Sequence, residues 1–389
     1  MPWLDEARLD DVSALQTLDT RDSLRSLASA GAQVRRAVVA AQEAGAARAA
    51  QGERPRSVLV AALGGSAVVG DVLDLLAEPG SPVPLSCRRD APLPGWVGPL
   101  DLVIAVSQSG RAAGPLALAA EAARRGASVL TVGAAGSPLA DVCARAHGIH
   151  VDVAIPAPSS RTALWSLLTP VLFAADAMGL IHCAPDVLDR VAAVLDEVAE
   201  ECRPSSEAFV NPAKVLATGL AATVPVVLGD GPLTGVAAGR AASMLARTAR
   251  VPATHGSLPD AAAQVVACLD GPYGGGSGPA SPASPAPTGG GDIFADPYLD
   301  GPPTPRLGLL ALRDPGLDPR GVSLANAVIG AARDAGVTVW EQEARPGEPI
   351  ERLASLIALT DFAATYLAIG LGLDPSVSRH VTDLRDRTS

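Results

Sequence analysis

The chain has 389 residues, more than one ordinary hydrophobic core organises, and this length fits two domains of roughly 150 residues each. Hydrophobic residues make up 48% and aromatic residues only 3%, so we expect an α/β protein whose core consists of Ala, Val and Leu. The net charge of −11, without a basic run, argues against a nucleic-acid or anionic-membrane surface and favours small-molecule partners.

The first 50 residues predict a leading helical segment. In "SLRSLASAGAQVRRAVVAA", Leu24, Leu27, Val34 and Val38 fall on one helical face, and Asp22 is the candidate N-cap.

Residues 51–180 predict a first lobe built on a parallel sheet. The apolar runs "SVLVAAL", "DLVIAVS", "ASVLTVG" and "GIHVDVAI" are typical of strands that are buried on both faces, and helices are expected after Gly65, Gly110 and Ser137. Alternating strands and helices of this kind indicate a doubly wound, flavodoxin-like domain.

The rest of the chain predicts a helical connection over 181–212 and a second lobe over 213–389. Its strands are expected at "VPVVLGDG", "QVVACLD", "RLGLLALRD" and "VTVWEQE", and "ERLASLIALTDFAATYLAIGLGL" predicts a C-terminal helix. A Gly/Pro/Ser-rich insertion at about 272–303 has too little apolar surface to join a core and predicts a disordered surface loop.

Cysteine usage and the N-terminus both bear on location. The five cysteines are odd in number and widely spread, which favours neither a disulfide framework nor a cysteine zinc site. "MPWLDEARLDD" is acidic where a signal peptide would be basic and then apolar. We therefore expect a cytoplasmic protein with no membrane partner, no metal site and no cofactor; a homodimer is left open.

Two glycine- and serine-containing turns are the candidate binding elements of the first lobe. Gly64, Gly65 and Ser66 follow the first strand, and "SQSGRA", with Ser107, Ser109 and Gly110, follows the next predicted one. In open α/β sheets, ligands bind beyond the carboxyl ends of the strands, where helix N-termini offer free N–H groups. Glycines admit a ligand oxygen to the backbone and serine hydroxyls can donate to it, so the pair of turns predicts a phosphate site.

These turns resemble the sugar-isomerase (SIS) domain, and the order of segments along the chain is similar to that of the bifunctional phosphoglucose/phosphomannose isomerase family. "GGSAVVGD" is similar to the family's first loop, "SQSGRA" to its phosphate loop and "PSSRTAL", with Arg161, to its arginine element. "NPAKVLATGLAATVPVVLGDG", "ARVPATHGSLPD" and "LTDFAATYLAIGLGLDP" resemble its second-lobe entry, substrate-proximal loop and closing helix. The resemblance implies two SIS lobes that bind a phosphorylated hexose.

The same resemblance implies a changed catalytic apparatus. The family uses a glutamate for proton transfer, a histidine for ring opening and a lysine near the C-terminus. Arg247 and Ala263 stand at the first two positions and Arg385 falls near the third. Arginine does not give up its proton at working pH and alanine has none to exchange. His255, with Asp260 as its partner carboxylate, is the candidate substitute.

Two functions stay open at this point: an active aldose–ketose isomerase of hexose 6-phosphates, and a catalytically inactive sugar-phosphate-binding or regulatory protein of the same fold. A dinucleotide-dependent oxidoreductase is disfavoured because neither glycine turn has the G-x-G-x-x-G form with a later acidic residue. A serine hydrolase is disfavoured because neither turn is a G-x-S-x-G elbow.

Overall fold

The computed structural model describes residues 4–50, 53–77, 80–153, 159–274 and 306–388. The chain divides into two compact units, each assembled from separated segments. The first unit comprises Asp19–Arg203, Arg345–Phe362 and Ser376–Ser389, and the second comprises Met1–Leu18, Pro204–Ala344 and Ala363–Pro375. Each lobe proposed from the sequence is one continuous stretch of chain, whereas each of these units is assembled from three separate segments.

Among the described residues the strands are β1 (Val58–Ala62), β2 (Leu85–Arg88), β3 (Leu102–Ser107), β4 (Ser128–Gly133), β5 (Ile149–Asp152), β6 (Thr223–Gly229), β7 (Thr254–Ser257), β8 (Arg306–Arg313) and β9 (Thr338–Glu343). The α-helices are α1 (Glu6–Asp10), α2 (Val12–Leu18), α3 (Ser23–Ala28), α4 (Ala30–Ala44), α5 (Val68–Ala77), α6 (Ala113–Arg124), α7 (Pro138–Arg145), α8 (Leu164–Ala177), α9 (Pro185–Glu201), α10 (Pro212–Ala221), α11 (Pro232–Met244), α12 (Ala262–Leu269), α13 (Pro319–Asp334), α14 (Pro349–Gly370) and α15 (Arg379–Thr388).

The first unit holds a five-stranded parallel sheet in the order β2-β1-β3-β4-β5. This is the flavodoxin-like order, so the predicted doubly wound fold is confirmed. All four predicted strands and the helices after Gly65, Gly110 and Ser137 are present. Strand β2 was not predicted, because this edge strand is half-exposed and lacks a continuous apolar run.

Helices cover both faces of the first sheet. Leu59 and Val103 lie in one core cluster with Leu118 of α6 and Leu139 of α7. On the other face, a Cβ built on Gly70 of α5 would come within 2.6 Å of the Cys87 sulfur and 3.5 Å of Val60. Adjacent strand residues point to opposite faces, which is why these strands have no polar alternation.

The leading helix begins differently from the prediction. Asp22 has a left-handed backbone, with φ 53°, and makes no side-chain capping bond. The Asp19 carboxylate instead accepts hydrogen bonds from the backbone N–H groups of Ser23 and Leu24, each at 2.8 Å. The predicted helix is also divided at Ser29 into α3 and α4.

The second unit holds a four-stranded parallel sheet in the order β7-β6-β8-β9. The prediction of a strand at "QVVACLD" is wrong, since these residues form α12. Val265 and Leu269, four residues apart, are buried in the core, whereas Val266 and Cys268 are exposed, which is helical periodicity. The fourth strand is β7, in the segment predicted as a loop.

Helix α14 is long and apolar enough to cross a membrane, but 94% of its apolar window is buried inside the protein, as in a core helix. The Gly/Pro/Ser-rich insertion lies outside the described residues except for Pro272, Tyr273 and Gly274.

Candidate functional site

The switch point of the first sheet lies between β1 and β3. These strands are parallel neighbours from which the strand order runs outward in both directions. Ala62 pairs with Val106, so the residues that follow β1 lie beside Ser107, at the same edge of the sheet. Ligands of doubly wound sheets bind at this place. Both predicted phosphate turns are therefore at adjacent carboxyl ends.

The first turn, Gly64–Ser66, is a single 3-10 turn that joins β1 to α5. Gly64 has a left-handed φ of 67°, which favours glycine over any residue with a Cβ. Ser66 is buried, and the N–H of Ala67 donates to the Gly64 carbonyl at 3.2 Å. The turn thus brings the N-terminus of α5 to the switch point.

The second turn, Ser107–Ala112, joins β3 to α6. The Ser107 hydroxyl oxygen accepts from the Ala112 N–H at 3.4 Å, and the exposed Ser109 hydroxyl oxygen accepts from the Arg111 N–H at 3.3 Å. Helix α6 starts without a side-chain capping bond. Because both hydroxyls are acceptors in these contacts, each keeps its own O–H for a ligand.

Close packing fixes the shape of this second turn. Gly110 has φ 63°, and a Cβ there would come within 2.0 Å of the Ser137 hydroxyl oxygen. The Leu139 N–H donates to the Gly110 carbonyl at 3.1 Å, and the Ala134 N–H donates to the Gln108 carbonyl at 3.0 Å. The turn is therefore held by the β4–α7 connection before any ligand binds.

Arg111 is a charged residue of this turn that was not predicted as a site residue, although it belongs to the motif "SQSGRA". It is exposed and lies two residues from Ser109. A guanidinium at this edge would favour an anion.

Arg161 lies in the first unit just before α8, a helix that packs against the Gly64–Ser66 turn. Its guanidinium donates to the Ser376 carbonyl at 3.5 Å, and the residue lines a small cavity with Asp361 and Trp165. The Arg161 side chain thus has one hydrogen bond to the C-terminal segment of its unit, 215 residues further along the chain.

The proposed catalytic substitutes lie in the second unit and are not brought together. His255 is an exposed residue of β7 whose ring packs over Gly239 of α11, 3.5 Å from a Cβ built there. Asp260 is exposed in the following turn. Within the described part of the chain, neither side chain has a hydrogen-bonding partner.

The residues at the three family catalytic positions have separate placements. Arg247 is half-buried in a π-helical turn, Leu245–Ala249, that ends α11. Ala263 is exposed on α12. Arg385 belongs to α15, and its side chain lies outside the described part of the structure.

The carboxyl edge of the second sheet has a different chemistry from that of the first. Asp230 follows β6 and is buried; it accepts from the Thr234 hydroxyl at 2.9 Å and from the Asp314 N–H at 3.1 Å. The Arg313 guanidinium lies 3.2 Å from its carboxylate. Burial raises the pKa of the Asp230 carboxyl. A fixed acidic side chain thus occupies the position where the first sheet has a glycine–serine turn.

Cys143, His147 and His150 lie close together in the sequence, at spacings that could suggest a metal site. In the structure the His150 Nδ1 atom lies 2.6 Å from the Thr131 hydroxyl, within the first sheet. No group of three His, Cys, Asp or Glu side chains suited to a metal ion occurs among the residues that the structure describes.

Known proteins with similar sequences or structures share this architecture. Residues 209–388 match the family of the bacterial phospho-glucose isomerase C-terminal SIS domain. A bifunctional phosphoglucose/phosphomannose isomerase of Caldicellulosiruptor bescii is 29% identical over 196 residues, which cover 50% of this chain and 57% of that protein. The match therefore spans little more than half of the relative's length.

Two solved structures extend the likeness to nearly the whole chain. A Silicibacter pomeroyi DSS-3 protein named as a phosphosugar isomerase has a TM-score of 0.63 at 21% identity, covering 91% of this chain and 99% of its own. The C-terminal domain of glucosamine-fructose-6-phosphate aminotransferase from Francisella tularensis has a TM-score of 0.59 at 13% identity, covering 91% and 97%. Identities this low show the fold alone.

The two parallel sheets and these structural neighbours define an SIS fold. In sequence, the chain resembles the bifunctional phosphoglucose/phosphomannose isomerases, as the segments quoted from its sequence predict.

Proposed function

We propose that this protein binds a phosphorylated hexose, with the phosphate held at the carboxyl edge of the first sheet by Gly64, Gly65, Ser66, Ser107, Ser109 and Gly110. The observation that carries the proposal is the position of both turns at the adjacent ends of β1 and β3. They offer serine hydroxyls with free O–H groups, and α6 begins there without a side-chain cap. Each feature favours an anion that accepts several hydrogen bonds.

The supporting experiment is isothermal titration with fructose 6-phosphate, glucose 6-phosphate and mannose 6-phosphate, with unphosphorylated fructose as the control ligand. Losing a hydrogen bond to a charged group typically removes ~1.5–3 kcal/mol. The double substitution Ser107→Ala with Ser109→Ala should therefore raise the Kd at least tenfold, since ~1.4 kcal/mol is one decade. Ser128→Ala, at the amino end of β4, is the matched control. Equal affinity in the double variant and the control would remove the serine turn from the site.

For the reaction, binding without efficient isomerisation is the function that the site supports best. Arg247 and Ala263 stand where the resemblance places the glutamate and the histidine, and His255 and Asp260 have no mutual contact. Each positioned acid or base is commonly worth ~10²–10⁴ in rate. Hexose 6-phosphates should then interconvert very slowly although they bind.

Aldose–ketose isomerisation is the second candidate, supported by the 29% identity to a bifunctional phosphoglucose/phosphomannose isomerase. A coupled assay that follows interconversion of the three hexose 6-phosphates distinguishes the two candidates. Turnover near ~10 per second would establish the isomerase. In that case His255→Ala and Asp260→Ala should each abolish turnover and leave the titrated Kd unchanged; activity that survives both would place the acid and base elsewhere, with Arg247 and Arg385 as the next side chains to vary.

We further propose a cytoplasmic location and a homodimer in solution. Fractionation of cells and light scattering on the purified chain test these two points separately.

A further inference from the structure

A second cavity lies at the opposite end of the first sheet from the serine turns. It has a volume of about 420 Å³, within the range of small-molecule sites. Ser57 immediately precedes β1 and Leu85 begins β2, so the cavity is at the amino end of these strands. Its lining residues are Arg56, Ser57, Pro84, Leu85, Ser86 and Trp96.

The charged groups around this cavity are already compensated. The buried Asp101 carboxylate accepts from the Arg56 guanidinium at 2.5 and 3.0 Å and from the Ser57 hydroxyl at 2.7 Å. Arg56 also donates to the Trp96 carbonyl at 2.6 Å. The Arg56 charge is thus neutralised by Asp101 and its orientation is fixed. An anionic ligand would therefore gain little binding energy from Arg56.

The rest of the cavity lining is mainly apolar and includes one further polar side chain, Ser86. Trp96 is 45% exposed although it lines the cavity, and Pro84 and Leu85 add apolar walls. A held guanidinium plane and an indole ring both stack well on aromatic rings. The Ser86 hydroxyl oxygen is buried and has no hydrogen-bonding partner among the described residues, an arrangement that native structures seldom leave unused.

We propose that this cavity binds a neutral, planar aromatic compound that stacks on Trp96 and hydrogen-bonds Ser86 through a polar ring atom. This Trp96 cavity is separate from the phosphate edge. Strand β1 has five residues, which at ~3.3 Å each put the two ends of the sheet about 16 Å apart. Occupation of one end therefore does not block the other.

The test uses benzimidazole as the aromatic probe, indene as its nitrogen-free counterpart and cyclohexanol as a non-aromatic control, in ligand-observed NMR titrations of the full chain. Benzimidazole should bind saturably, more tightly than either of the others, and saturating fructose 6-phosphate should not displace it. Trp96→Leu keeps the apolar volume and should weaken benzimidazole at least tenfold, whereas Trp96→Phe keeps a ring and should stay within threefold of the unsubstituted protein.

Two further variants complete the design. Ser86→Ala should weaken benzimidazole at least threefold and leave indene unchanged. Leu100→Ala removes an exposed leucine that does not line the cavity and should change neither probe. The proposal is overturned if benzimidazole does not saturate, if cyclohexanol binds equally well, if Trp96→Leu behaves like Leu100→Ala, or if Ser86→Ala affects both aromatic probes equally. Circular dichroism of each variant establishes that it is folded.

Discussion

Replacing Gly110 by alanine tests whether close packing shapes the proposed phosphate turn. Two separate penalties act on this substitution. The left-handed φ of 63° disfavours any residue with a Cβ by ~1–2 kcal/mol. The new methyl group would also lie 2.0 Å from the Ser137 hydroxyl oxygen and 2.3 Å from the Ser137 Cβ, so Ser137 must move.

The cost of moving Ser137 follows from its contacts. Its hydroxyl oxygen caps α7 by accepting from the Ala140 N–H at 3.3 Å, and loss of such a cap removes ~1 kcal/mol. The adjacent hydrogen bond from the Leu139 N–H to the Gly110 carbonyl contributes ~1 kcal/mol more. Gly110→Ala should therefore lower the free energy of unfolding by ~3–4 kcal/mol.

Gly136 provides the matched control in the neighbouring turn. Its φ is 59°, but a Cβ there meets nothing within 4 Å, so Gly136→Ala should lose only the ~1–2 kcal/mol due to φ. Urea denaturation of both variants, followed by circular dichroism, measures the difference. Adding Ser137→Gly should make the effect of Gly110→Ala smaller than in the unsubstituted background. Equal losses in Gly110→Ala and Gly136→Ala would refute the packing argument.

Three further predictions concern pH and charge. Burial alone would raise the pKa of Asp101, but hydrogen bonds from Arg56, Ser57 and the Gly98 N–H outweigh burial and lower the pKa. The carboxylate therefore stabilises the fold above its unfolded-state pKa, and this stabilisation is lost as the pH falls through the lowered folded-state pKa. In Asp101→Asn, the urea midpoint should therefore fall less on acidification than in the unsubstituted protein. Lys214 donates to the Pro204 and Ser206 carbonyls at 2.9 and 2.6 Å, so Lys214→Met should lose ~3 kcal/mol at neutral pH. Because burial lowers the pKa of Lys214, raising the pH toward its unfolded-state pKa should stabilise the unsubstituted protein but not Lys214→Met. Fructose 6-phosphate should bind more weakly below pH ~6, where the phosphate gains a proton and loses charge; a Kd that does not change with pH would argue against recognition of the dianion.

The central strands could be predicted because burial on both faces leaves a clear pattern in the sequence. β1, β3 and β4 are almost entirely buried and are predicted from largely apolar runs. The edge strands β2 and β7 are half-exposed and carry no such run, so pairing with their neighbours determines them.

Short apolar runs do not distinguish a strand from a buried helix turn, and α12 shows the consequence. Val265 and Leu269 are buried in the core, at helical spacing, while the apolar residues between them face outward. The cap of α3 was missed for a related reason. Asp19 reaches forward over four and five residues, beyond the spacing at which a capping side chain is usually sought.

In the candidate site, too, some features could be predicted from the local sequence and others could not. The serine turns could be predicted because each follows directly from a recognisable strand, and parallel neighbours must place their carboxyl ends together. The partners of Arg161 could not be predicted, since Ser376 is 215 residues away in the chain. The separation of His255 from Asp260 depends on β7, whose existence the sequence does not signal.

A comparison of the two sheets shows why the phosphate is assigned to only one of them. Each sheet has a switch point between two central strands, β1 and β3 in the first and β6 and β8 in the second. At the first, the Ser107 and Ser109 hydroxyl oxygens accept N–H groups of their own turn, so that each keeps its own O–H group for an anion. At the second, the buried Asp230 carboxylate already accepts the Asp314 N–H and the Thr234 hydroxyl, and it pairs with Arg313. A phosphate there would have to displace an existing acceptor and lie beside a like charge, which is unfavourable in a buried setting. The first edge thus has serine O–H groups for an anion, whereas at the second edge a buried carboxylate directly follows the central strand and already accepts the Thr234 and Asp314 donors.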